Sequence, residues 1–127
     1  MYKTSLIIVS VNHNLFHEES TYTFKNIKIR DVNVNAKSLL YFLYQDIYFD
    51  RLDINNVKCV GDSILLLIDS GEEKKSISLK NSNIKHCLSN KSLIKIIGNS
   101  NNITMENIII EYNISYGSII KNESENV

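Results

Sequence analysis

Proline and tryptophan are absent from this 127-residue chain, and glycine occurs only four times. The turn chemistry that usually surrounds an enzyme site is therefore thin. Cysteine occurs twice, at Cys59 and Cys87, too few for a disulfide scaffold or a Cys-rich zinc site. No sign of charge predominates, with 14 Lys+Arg against 14 Asp+Glu. That balance argues against a nucleic-acid partner, because neutralising phosphates calls for a basic excess. Long apolar runs are missing too. Leu39–Tyr44 and Ile64–Ile68 are the longest, at six and five residues, so no membrane-spanning segment is expected. Met1–Ser10 has one Lys and a short apolar run, without the h-region and cleavage site of a signal peptide.

What is present is narrow in kind. There are 20 Ile, 17 Asn, 15 Ser and 12 Lys, together half of the chain, and 43% of residues are hydrophobic. That apolar share is enough for a core and too high for a disordered segment. The length suits one domain, taken as residues 1–127.

The chain repeats itself. Five segments open with Ser and continue apolar, at Ser5, Ser38, Ser63, Ser92 and Ser118. Between them recurs an apolar-x-apolar-charged-Asn motif: Tyr22 to Asn26, Ile47 to Arg51, Ile77 to Asn81 and Ile103 to Asn107. A third apolar piece follows, at Ile27/Ile29, Leu52/Ile54, Ile84 and Ile108/Ile110. The distance from Phe24, Phe49, Leu79 or Met105 to the next Ser is 14, 14, 13 and 13 residues. Length variation is thus confined to one corner, between the Ser strand and the next, where Val11–Ser20 and Asp69–Lys75 are the insertions. A period near 25 to 29 residues with three short strands, no helical periodicity and no proline predicts an all-β chain: a parallel β-solenoid of about four rungs. A leucine-rich repeat has a similar period but its Leu/Asn spacing is not met. A β-sandwich is the other rival, which the in-register recurrence of whole motifs disfavours.

The columns follow from the repeat. Phe24, Phe49, Leu79 and Met105 should point inward, with Lys25, Asp50, Lys80 and Glu106 outward. Asn26, Asn81 and Asn107, with Arg51 in the second rung, should form a corner ladder, since Asn tolerates left-handed angles. The serines should form another. They are not catalytic, because no His or acid recurs beside them.

The Ser strands do not alternate. If Ile7, Leu40, Leu65, Ile94 and Ile120 point inward, apolar neighbours are left outside. A strand apolar on both faces is expected to be covered on both. The candidate partner-binding residues are therefore Leu6, Ile8, Leu39, Tyr41, Leu43, Tyr44, Ile64, Leu66, Ile68 and Lys95. Three covers fit: the 11–20 insertion, a second copy forming a homodimer, or another protein. Tyr41 and Tyr44 favour a protein, since Tyr is enriched at contact hot spots.

Groups for chemistry are sparse, and no catalytic residue, metal site or cofactor is expected. His13, His17, Glu18 and Glu19 share the insertion, and read as a solvated loop. His86 precedes Cys87 and reads as a corner residue beside an inert thiol. Cys59 and Cys87 fall in adjacent rungs, nearly in one column, which leaves a cross-rung disulfide open. Asp46, Asp50 and Asp53 lie in one rung, unlike the acid columns of pectin-degrading solenoids.

The phrases Ser92-Leu-Ile-Lys-Ile, Asn102-Ile-Thr-Met-Glu-Asn107 and Tyr116-Gly-Ser-Ile-Ile120 resemble the right-handed parallel β-helix (β-solenoid) repeats of anaerobic gut-fungus scaffoldins, the non-catalytic proteins of fungal cellulosomes. That resemblance implies a secreted, cohesin-like module, cut from a longer repeat protein, that receives the dockerins of carbohydrate-active enzymes. A carbohydrate-acting or carbohydrate-binding β-helix and a cell-surface adhesin repeat are the alternatives.

Overall fold

The computed structural model describes residues 7–10 and 21–125, with the first four as backbone only. The described chain is all-β and winds as a parallel β-solenoid of about four turns. The strands are β1 (Ile7–Ser10), β2 (Thr21–Val34), β3 (Ser38–Leu43), β4 (Asp46–Cys59), β5 (Ile64–Asp69), β6 (Lys74–Lys85), β7 (Leu88–Ser89), β8 (Ile94–Ile97), β9 (Ser100–Glu111), β10 (Ile114–Ser115) and β11 (Ile120–Asn122).

Each turn contributes one short strand to sheet A, in the order β1-β3-β5-β8-β11. It then contributes a long bent ribbon to sheet B, where β2, β4, β6 and β9 stack in sequence and β7 and β10 extend the ribbon's last leg. All pairings are parallel, so hydrogen bonds run along the solenoid axis and side chains of one register position stack in columns.

The ribbon bends at single residues. Asn26, Arg51, Asn81 and Asn107 have φ between 51° and 64°. Five positions further on in each turn, Asp31, Asn56, His86 and Tyr112 have φ between 54° and 58°. One left-handed residue turns a strand sharply without a loop, and among residues with a side chain Asn and Asp enter that region at least cost. Side chains then tie the corners between turns: Asn107 donates to Asn81 at 2.8 Å, Asn81 to Asp50 at 3.0 Å and Asn56 to Asp31 at 2.7 Å. His86 and Tyr112 stack with ring centroids 5.3 Å apart.

The core fills the interior. Phe24, Phe49, Leu79 and Met105 form one inward column, as the alternation requires. Phe42 of sheet A meets Phe24 and Phe49 with centroids 5.3 Å apart in each pair. Leu52, Ile54, Val57 and Ile84 are fully closed off.

Sheet A departs from expectation at β5. Leu40 pairs with Leu66, and Leu66 with Ile94, so Leu66 occupies the inward column where Leu65 was expected. Ser38 accordingly lies beside Ile64 instead of Ser63. The extra residue is taken up in the turn Val60-Gly61-Asp62-Ser63, closed by Ser63 N–H to the Val60 carbonyl at 3.2 Å. A one-residue slip exchanges the two faces of a strand. Leu65 still enters the core, for a local reason. Leu65 and Leu66 both donate to the Leu93 carbonyl, at 3.0 and 3.1 Å, and Leu93 and Ile94 both donate to that of Ile119, at 3.1 and 3.0 Å. Two amides converging on one acceptor mark a bulge-like kink, which turns consecutive side chains the same way. Leu39, Leu65 and Leu93 therefore join Leu40, Leu66 and Ile94 in the core.

Candidate interaction face

The kink and the slip redistribute the proposed contact residues. Leu39, Leu66 and Ile68, expected on the outer face, belong to the core cluster. Their apolar run reports a kinked entry into the core and an inward strand, so it no longer demands an external cover. Leu6 lies outside the described residues, and of Ile8 only its backbone pairing beside Tyr41 is described. Tyr41, Leu43 and Lys95 do alternate outward and are half-buried. Tyr44 is exposed at the corner after β3, with φ 61°, and its ring lies against Gly71. Ile64 is buried outside the core cluster.

The outer row of sheet A reads Tyr41, Leu67, Lys95 and Lys121. Leu67 was not expected there, because the serine register placed it inside. It is 4% exposed yet stands apart from the core cluster. Leu67, Ile64 and Ile97 line a groove of about 570 Å³, together with Lys37, Lys91, Lys95, Lys121, Asp62 and Tyr116. Tyr116 is 77% exposed.

Electrostatics here are predominantly basic. Lys91 pairs with Asp62 at 3.4 Å, and Lys95 and Lys121 share Glu123 at 3.6 and 2.8 Å. The Lys121 hydrogen bond, and then Lys95, hold the Glu123 carboxyl below its usual range. Lys37 donates to the Tyr41 hydroxyl at 3.2 Å, with its ammonium 4.5 Å from that ring's centroid. Four lysines thus face two carboxylates around an apolar floor. Such an arrangement suits a partner surface that combines apolar side chains with acids.

His13, His17, Glu18 and Glu19 lie outside the described residues. Among the described residues no group of three or more His, Cys, Asp or Glu could hold a metal. Cys59 and Cys87 are free and buried. Cys59 pairs in register with Ser89, which leaves the two thiols two positions out of line on adjacent strands. A diagonal offset of that size separates Cα atoms by about 8 Å, beyond disulfide reach. Burial, and then the neighbouring Cys87, push the Cys59 thiol up to about 12. Burial also raises Cys87, against opposing backbone hydrogen bonds from Val57 and Asn56. The acids of the second rung are engaged in the fold: Asp46 accepts from the Ser76 amide at 2.7 Å, Asp50 from Asn81, and Asp53 faces Arg30 at 3.7 Å.

Comparison of the chain with family models, with curated proteins and with solved structures returns no match.

Proposed function

We propose that this chain is a non-catalytic, protein-binding scaffold module that receives its partner on the outer face of sheet A. The observation that carries the reading is the basic groove around Leu67, Ile64 and Ile97, flanked by Tyr41 and Tyr116. Aromatic and apolar anchors with charged surroundings are what a specific interface uses. Its repeat phrases resemble those of fungal scaffoldins, so the partner proposed is the dockerin of a secreted carbohydrate-active enzyme, with the module acting extracellularly as a cohesin-like unit.

The test is calorimetric titration of the chain with purified dockerin-bearing enzymes, repeated with Tyr41→Ala and Lys95→Glu. Each variant should keep the β-sheet spectrum and weaken binding by about tenfold or more, the scale of about 1.4 kcal/mol. Unchanged affinity in both would remove this face from the interaction. Polygalacturonate cleavage lost in Asp50→Asn would instead place the chain among carbohydrate-acting β-helices.

A further inference from the structure

Among the described residues nothing covers the last turn. Ile103, Ile108 and Ile110 are only partly buried, whereas Ile77 and Ile84, one turn earlier in the same columns, are 3% and 0% exposed. Met105, in the inward column, is 37% exposed. Among the described residues the outer edge of β9 pairs with no strand, and at the other end β2 pairs only with β4. Edges of this length template further pairing.

Charge along the outer columns of sheet B has a direction. One column reads Lys25, Asp50, Lys80, Glu106, alternating in sign. Another reads Arg30, Asn55, Lys85, Glu111. Both begin basic and end acidic. Glu106 and Glu111 each hold a lysine of the preceding turn, at 3.2 and 3.1 Å, and their side chains remain 65% and 43% exposed. Arg30 at the opposite end is 59% exposed.

We infer that this face takes a second copy of the chain, docked end to end, with β2 of one copy added in parallel to β9 of the other. Continuing the columns sets Lys25 on Glu106, Arg30 on Glu111 and Asn26 on Asn107. Phe24 covers Met105, and Ile27 and Ile29 cover Ile108 and Ile110. The remaining outward positions bring no like charges together: Lys28 meets Ile109 and Asp31 meets Tyr112. Joining two copies through equivalent ends would instead crowd acids against acids, or bases against bases. The contact is therefore heterologous, and repetition extends it into a filament. It is argued from the edges and outer columns of β2 and β9, so it does not rest on the proposed function.

Sedimentation velocity over a wide concentration range tests it. The mass of the wild-type chain should rise with concentration. It should fall back between 0.1 M and 1 M salt, as the Debye length contracts from about 10 to about 3 Å. Glu106→Lys/Glu111→Arg and Lys25→Glu/Arg30→Glu should each remain monomeric. An equimolar mixture of the two should assemble again, because each then offers the complement of the other. Should either double variant lose its β-sheet spectrum, Met105→Lys takes its place, with a monomer expected. A wild-type chain that stays monomeric, charge reversals without effect, or a mixture that does not assemble would each overturn the inference.

Discussion

Ser63 and Ala36, 27 residues apart, close a two-way hydrogen bond between adjacent turns: the Ser63 hydroxyl accepts from the Ala36 amide at 3.0 Å and donates to the Ala36 carbonyl. One side chain satisfies both backbone groups at a corner where the ladder pauses. Ser63→Ala should cost about 1–2 kcal/mol, for the loss of two hydrogen bonds to half-buried backbone groups. Urea unfolding measures it, and a cost below a few tenths would show that water replaces the hydroxyl freely.

A second prediction concerns the left-handed corners. At Asn81 the backbone has φ 51° and the side chain links Asp50 to Asn107. Asn81→Gly removes the links but keeps the conformation accessible, whereas Asn81→Ala also adds about 1–2 kcal/mol of left-handed strain. Alanine should be the more destabilising of the two in thermal melts. The reverse order would mean that the extra freedom glycine gives the unfolded chain outweighs the strain alanine meets in the folded one.

The slip in β5 makes Leu66 a core residue and leaves Tyr41 on the outer face. Leu66→Ala should therefore cost about 2–5 kcal/mol. Tyr41→Ala should cost much less, while still impairing partner binding. Chemical denaturation of both variants checks the assignment, and equal losses would contradict it.

Much of this was written in the sequence, because sheet B obeys a period of two with corner residues of one chemical type. Asn26, Asn81 and Asn107 announce their column even with Arg51 in place of the fourth Asn. The companion column carries no such chemical mark. Asp31, Asn56, His86 and Tyr112 share a backbone angle and little chemistry, and only their constant five-residue distance from the first corner gives them away. In sheet A, serine was a misleading ruler. Ser63 recurs as a residue type but sits one position early, for the sake of its bond to Ala36. That single position concealed Leu67 on the outer row and displaced Leu66 from the inner one. The kink that sends Leu65 and Leu66 inward together depends on shared carbonyls of the next turn, which no local pattern reveals.

Alkali should weaken the fold through the buried thiols. Cys59 is raised from 9.0 to about 12 by burial and by Cys87, so the unfolded chain loses this proton first. Its stabilising contribution is complete below about pH 9 and is lost as the pH climbs from there toward 12. Urea midpoints should fall above pH 9, and less steeply in Cys59→Ala. Identical slopes in the two proteins would assign the effect to other groups. At neutral pH both thiols should resist alkylation until the chain is unfolded.

The corner after sheet A absorbs nearly all of the difference in length between turns, and pairing resumes in step immediately beyond it. Between β5 and β6 it is anchored by Gly71, which has φ 71° and has no room for a Cβ beneath the Tyr44 ring, and it presents Glu72 and Glu73 to solvent. A foreign peptide placed between those two glutamates would add a loop without shifting any column. The scaffold thus carries a grafting point at which new recognition can be attached while the coil keeps its own count.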